Sequence, residues 1–298
     1  MNQNQETKQN IIFHIDGGLG KNIMATAVIS AMKKKYVDYN IIVVSGYPDV
    51  FADNPNVKKT LHFSQASSVY NEYILGKEAK VFTNDPYQTS DFITEKSHLL
   101  SIWCNLLGFE YNNEMPEIFL SQAEKEHFEP LYKTSKPIFA IHPNGGAENQ
   151  ALKYSWTRDL PAIIVNEVVE EFKNQYSIVH VKRADQTQYA DTIGALDNWR
   201  SIAIMLSLSK KRLLIDSSSM HLATALNLPS VVTWIGTNPK VLGYDMHTNI
   251  IANEPTKEIN TEHNFYAKYL FYEDISRFPY NSLNEVLNVD QIIKALKK

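Results

Sequence analysis

Short apolar runs alternate along this chain with stretches of helical periodicity. Residues 11–15, IIFHI, are rich in β-branched side chains, the pattern of a strand buried on both faces. Glycines follow at once. In KNIMATAVISAMKKKY, residues 21–36, apolar side chains then recur at helical spacing at Ile23, Ala27, Val28, Ala31 and Met32. NIIVVSG (40–46) reads as the next strand, so the chain opens with a β–glycine turn–α–β unit, the start of a doubly wound sheet. AKVFTND (79–85) is a further candidate strand, and SHLLSIWCNLLGF (97–109) predicts a helix ending at Gly108. Residues 112–136 are polar, charged and weakly periodic, which marks a boundary or connecting segment.

A second alternation begins with PIFAIHPNGG (137–146), a strand followed by a polar loop with glycines. LPAIIVNEVVEEF (160–172) predicts a helix, with Pro161 near its first turn, where a missing N–H costs little. YSIVHVK (176–182) reads as a strand and NWRSIAIMLSLSK (198–210) as a helix. RLLIDSSSMHLATALNLPSVVTWIG (212–236) gives strand, serine turn, helix, strand, and SLNEVLNVDQIIKALKK (282–298) an amphipathic helix with a basic end. No internal repeat stands out. The expected fold is α/β, two Rossmann-like domains facing each other across a cleft. The domains are expected at 1–130 and 131–280, with the helix 281–298 packing back on the first. Ligands in such sheets bind beyond the carboxyl ends of the strands, so the turns there are where chemistry is sought.

Composition agrees with this size. A chain of 298 residues with 44% hydrophobic and 11% aromatic residues has material for two packed cores. A net charge of −4 lacks the basic field of a sequence-independent nucleic-acid binder, so no nucleic-acid partner is expected. Cys104, the single cysteine, sits in an apolar run and is expected to be a buried thiol. MNQNQETKQN at the start lacks the regions of a signal peptide and reads as a polar tail. No apolar stretch approaches the roughly 18–20 residues that span a bilayer. A soluble, cytoplasmic protein without an integral membrane segment is expected.

HIDGGLGKN, residues 14–22, looks like a phosphate-binding turn, but it fits neither common type. A Walker A loop would need glycine where Ile15 stands and Ser or Thr in place of Asn22. The dinucleotide pattern would need a third glycine where Ile23 stands. Gly17, Gly18 and Gly20 still let the backbone approach a ligand, the helix start offers free N–H groups, and Lys21 adds a charge. The alternative is a tight strand-to-helix turn with Lys21 in solvent. In the second half, Asp216 ends a strand, Ser217, Ser218 and Ser219 form the turn, and His221 lies in the first turns of a helix. Those hydroxyls and N–H groups suit a pyrophosphate held without a metal. Equally, the serines could cap the helix while Asp216 and His221 satisfy buried polar groups.

The segment Asp216-Ser-Ser-Ser-Met-His221-Leu-Ala-Thr-Ala-Leu226, followed by Pro229 and Gly236-Thr-Asn-Pro239, resembles glycosyltransferase family 9, the ADP-heptose:lipopolysaccharide heptosyltransferases. Ser218 stands where the family usually has glycine. IHPNGGAENQALKYSWTRDL (141–160) is similar to the family's Lys-x-Trp segment, here Lys153-Tyr-Ser-Trp156. The resemblance implies that the two-domain α/β fold is GT-B-like, with a nucleotide diphosphate sugar as substrate, a glycan or glycolipid acceptor and no resident cofactor or metal. It implies the donor at Asp216, Ser217–Ser219 and His221, Lys153 on the donor phosphates, and Asp185 near the ribose, with Asp191 close by. It also implies work at the cytoplasmic face of a membrane, with the protein peripheral there.

In one respect the chain departs from the family. The family's first turn reads Gly-Asp, with the aspartate as general base, and here the pair is Gly20-Lys21. A protonated lysine cannot accept a proton. Asp16, four residues earlier, is the candidate to replace that base, with His14 and Asp85 behind it. Two readings stand: an inverting, metal-independent glycosyltransferase, or a non-catalytic nucleotide-sugar-binding member of the same fold. The aromatic run HNFYAKYLFYEDISRFPY (263–280) is expected to pack in a core or between domains, or to line a pocket.

Overall fold

Parallel strand pairing organises both halves of the chain. The computed structural model describes residues 9–145, 156–195, 198–256 and 278–298. These divide into two units, one of residues 1–89 and 99–119, the other of residues 90–98 and 120–298.

The first unit contains β1 (Asn10–Ile15), α1 (Leu19–Lys35), β2 (Asn40–Ser45), β3 (Lys59–His62), β4 (Ala79–Phe82) and α2 (Leu99–Leu106). Its sheet runs β3-β2-β1-β4 with every pair parallel, β1 matching β2 from Asn10↔Asn40 to Ile15↔Ser45. On one face, Ile12, Ile42, Val44 and Leu61 are covered by Val69, Phe63, Tyr73 and Ile74. Phe13 meets Trp103 of α2 edge to face, with centroids 5.7 Å apart. Helix α1 is buried at eleven positions from Lys21 to Met32, on more sides than its five periodic apolar residues require. The chain reverses direction across the sheet between β1 and β4, so the loops leaving those two strands flank the switch point where such sheets bind ligands.

The second unit adds α3 (Gln122–Phe128), β5 (Ile138–His142), α4 (Ala162–Phe172), β6 (Ser177–His180), β7 (Thr192–Gly194), α5 (Trp199–Leu208), β8 (Lys211–Ile215), α6 (Ser218–Ala225), β9 (Val231–Trp234), β10 (Thr248–Ile251) and α7 (Val289–Lys297). Its parallel sheet runs β10-β9-β8-β5-β6-β7, with the reversal between β5 and β8. Phe139 and Ile141 of β5 pack with Ile164, Val168 and Phe172 of α4 and with Ile292 and Leu296 of α7. The C-terminal helix therefore completes the core of the second unit. This corrects the expectation that it returns to the N-terminal domain, and the reason is its apolar stripe, which fits against α4.

Residues 90–98 belong to the second unit although they lie early in the chain. Glu95, at a left-handed φ of 53°, accepts a 2.7 Å bond from Asn238 Nδ2, and the His98 ring bonds the Gly243 carbonyl at 2.9 Å. The second unit then resumes at Leu120, ahead of the 131 expected from composition. Of the aromatic run, Phe278 and Tyr280 are described: Tyr280 is buried and donates to the Asn253 carbonyl at 2.8 Å, and Phe278 meets Trp156 edge to face. The rest of that run lies outside the described residues. Cys104 is buried and its thiol is pushed up to about 12 by that burial. Among the described residues no helix is long and apolar enough to cross a membrane.

One carboxylate joins two helices of the second unit. Ser121 and Glu124 form a capping box at the start of α3, and Glu124 also receives both Nε and Nη2 of Arg200 on α5, the latter at 2.9 Å. These bonds, Arg200 first, hold the Glu124 carboxyl down at about 2 against an ordinary 4.5. A depressed folded-state value means the stabilisation is complete above about pH 4.5 and is lost as the pH falls toward 2. Glu124→Gln is expected to lose about 1–2 kcal/mol at pH 7. Urea melts of both proteins should converge only as the pH reaches about 2; a gap of undiminished size there would contradict the assignment.

Candidate functional site

At the β1–α1 turn, both polar residues after the glycines point inward. Gly17 has φ +90°, and a Cβ there would lie 3.0 Å from Lys21 Cδ, so only glycine fits. Asn22, fully buried, donates to the carbonyls of Gly18 at 3.0 Å and Gly17 at 3.4 Å, and the Ser45 hydroxyl at the end of β2 donates to its Oδ1. Asn22 thus pins the turn from the position where a P-loop keeps a metal-binding hydroxyl. Lys21 Nζ lies 2.9 Å from Asp16 Oδ1 and 2.9 Å from Asp85 Oδ2, with the rings of Tyr87 and Trp103 centred 5.6 and 5.8 Å away.

This geometry corrects the alternative that leaves Lys21 in solvent. The ammonium is buried and two carboxylates engage it. It bridges the loops leaving β1 and β4 at the switch point. Asp16 itself stays 65% exposed, and the bond from Lys21 keeps its carboxyl below the usual range. At neutral pH it is an ionised carboxylate with a fixed orientation.

The β8–α6 turn of the second unit is built differently. Ser217 is the N-cap residue, but its side chain makes no cap bond, since its Oγ sits 2.9 Å from His142 Nδ1 at the end of β5. This link joins the two strand ends that flank the second switch point. The expectation that Ser217 caps the helix is corrected, and the N–H groups at the start of α6 are not taken by that side chain. Asp216 and Ser219 are buried and Ser218 is half-buried. On the β5 side, buried Asp159 accepts the Gly145 N–H at 2.8 Å, while Arg183 Nη1 donates to the Gly145 carbonyl at 3.0 Å.

Two buried histidines report on the charges gathered there. The imidazole of His142 is pushed down to about 3, first by burial, then by His180 and by the guanidinium groups of Arg158 and Arg183. His180, at the end of β6, is pushed to about 4 by burial and by Lys182. Both rings are neutral at physiological pH, and cationic side chains stand beside them. Arg158, Arg183 and Asp159 were not singled out from the sequence. The signal for Arg183 was its position just after a strand end, where Asp185 drew attention instead.

The remaining candidates scatter. Both Asp185 oxygens face Arg183, at 3.0 and 3.2 Å. His221 is buried in the interior of the second unit, its Nδ1 2.9 Å from the Tyr244 hydroxyl and its ring pushed to about 3 by burial and by His98. Thr224 and His247 pair beside it at 2.9 Å. His14 packs on Phe63, and Asp191 pairs with Lys173. Lys153 lies outside the described residues.

Solved structures share this architecture. A glycosyl transferase family 9 protein from Veillonella parvula superposes with a TM-score of 0.67 at 15% identity, covering 98% of this chain and 97% of that one. The Escherichia coli ADP-heptose LPS heptosyltransferase II gives 0.65 at 12% identity, with 97% of each chain covered. This chain has their fold. The E. coli dodecameric iron-containing heptosyltransferase, solved in complex with ADP-D-β-D-heptose, gives 0.62 at 12% identity over 98% of this chain and 76% of its own. No protein-family model and no curated protein matches the sequence. The likeness suggested by residues 215–239 therefore extends, at the level of fold, along nearly the whole chain.

Proposed function

We propose that this protein is a glycosyltransferase that moves a sugar from a nucleotide diphosphate donor to a hydroxyl of a glycan or glycolipid acceptor, with inversion and without a required metal. The observation that carries this reading is the β8–α6 turn. Its helix N-terminus is left without a side-chain cap by Ser217, and Arg183 and Arg158 stand close to the same strand ends. A diphosphate leaving group needs such positive partners as its charge develops. Ser218, Ser219 and Arg183 are assigned to the donor phosphates, together with Lys153. In the transfer step the acceptor oxygen forms a bond to the anomeric carbon as the bond to the diphosphate breaks. The acceptor proton passes to Asp16, and the nucleoside diphosphate leaves with the bonding electrons. We place the work at the cytoplasmic side of a membrane, where a lipid-linked acceptor would be reached.

The test is a panel of nucleotide diphosphate sugars, including ADP- and UDP-sugars, with release of nucleoside diphosphate followed with and without acceptor extracts. Release that an Asp16→Asn, Lys153→Ala double variant lacks supports the enzyme. Arg183→Met is expected to weaken ADP binding about tenfold or more in calorimetry, as a charge-assisted phosphate bond is lost. Binding without any release above the double variant would make this a nucleotide-sugar-binding protein, the reading that Lys21 at the family's base position favours. No binding of nucleotide or nucleotide sugar at millimolar concentration would defeat both.

A further inference from the structure

We propose that Asp85 is a positioning residue for Asp16 and acts through the Lys21 ammonium, so that three residues from two loops and a helix form one charge unit. The role rests on the reading of Asp16 as the base. Asp85 is itself anchored. Its Oδ1 accepts the Tyr87 N–H at 3.0 Å, capping the helical turn Pro86–Gln88, and its Oδ2 lies 2.9 Å from Lys21 Nζ. Lys21 is 8% exposed and boxed by the Tyr87 and Trp103 rings. With one end of the unit fixed this way, the ammonium holds Asp16 Oδ1 at 2.9 Å while the rest of that carboxylate faces solvent. Two carboxylates share one cation, so the unit carries a surplus negative charge, and the exposed member is Asp16.

The arrangement gives Asp85 an effect of definite sign. Lys21 favours the ionised form of Asp16, and Asp85 opposes it as a like charge on the same cation. The other titratable group acting on Asp16 is His14 of the same strand end, whose charge would also favour ionisation. Removing the cation therefore raises the proton affinity of Asp16, and removing the second carboxylate lowers it. Asp85→Asn is the informative change, because asparagine still caps the 86–88 turn while losing the charge.

The experiment is carboxyl-carbon NMR of the full chain labelled at aspartate, with the Asp16 signal assigned by its loss in Asp16→Asn. In Lys21→Met the Asp16 midpoint is expected to rise by about one pH unit or more, a tenfold change in proton affinity. In Asp85→Asn it is expected to fall, with the fold retained by circular dichroism. An Asp16 midpoint that stays put or rises in Asp85→Asn overturns the proposal, and so does an Asp16 that titrates like a free carboxylate in the unaltered protein. If Lys21→Met does not fold, the Asp85→Asn shift decides alone. The titration needs no substrate, so its failure is separate from that of the enzyme reading. For any donor that is turned over, the acid limb of kcat/KM should follow the same two directions. Opposite NMR shifts with an unmoved acid limb would remove Asp16 as the base.

Discussion

An Asp16→Asn protein is expected to release nucleoside diphosphate in the presence of donor and acceptor about a thousandfold more slowly, while binding ADP as tightly as before. Asparagine keeps the size and one acceptor oxygen of the side chain, and it cannot take the acceptor proton. The bond from Lys21 is conserved in kind but weakened in charge, so the turn keeps its path. The glycines are pinned by Asn22, not by Asp16. The measurement is single-turnover release at saturating donor, paired with calorimetry of ADP. A fall of less than tenfold would show that proton removal from the acceptor does not depend on this carboxylate.

The second large effect lies in the core. Phe139→Ala is expected to cost about 3–5 kcal/mol, the range for removing a fully buried aromatic ring. Phe139 has no exposure and meets Phe172 of α4 edge to face at 5.3 Å and Tyr176 at 6.3 Å. Phe172 ends the helix that also receives α7, while Tyr176 leads into β6, so the hole is walled by separate elements that cannot close in together. Urea denaturation followed by near-ultraviolet circular dichroism reads the loss, which corresponds to roughly 10 °C in Tm for a unit of this size. A loss under about 1 kcal/mol would mean that the layer between β5 and α4 repacks freely.

Central strands were legible because burial on both faces writes itself as a continuous apolar run. IIFHI, NIIVVS and IFAIH each became β1, β2 and β5 within a residue or two. The strands missed were β3, β7 and β10, all at sheet edges. Their residues, such as KTLH and TIG, are half exposed and short, so no period can build up. The two candidate turns could be placed for the same reason that the strands were, since a turn after a buried strand is easy to locate. What the sequence could not tell was direction. Lys21 looks like a ligand-binding residue in a glycine turn, yet it faces the protein, as Asn22 does. The reason lies in Asp85 and Ser45, which stand far along the chain and meet them only through strand order. Arg183 and His142 were hidden likewise, because their roles come from the pairing of β5 with β6 and β8.

The early excursion of residues 90–98 into the second unit has a consequence for modularity. The polypeptide changes unit at 89/90, 98/99 and 119/120, so neither unit is encoded by one uninterrupted stretch. A gene fragment that begins at residue 131 omits Glu95 and His98, which bond Asn238 and Gly243, and omits Glu124, which holds Arg200. Such a fragment is an incomplete domain with its own helix α5 and its 238–243 turn stripped of partners. Recombination or swapping of halves between relatives of this fold would have to carry the nine-residue insert along with the C-terminal half, which ties the inheritance of the two units together.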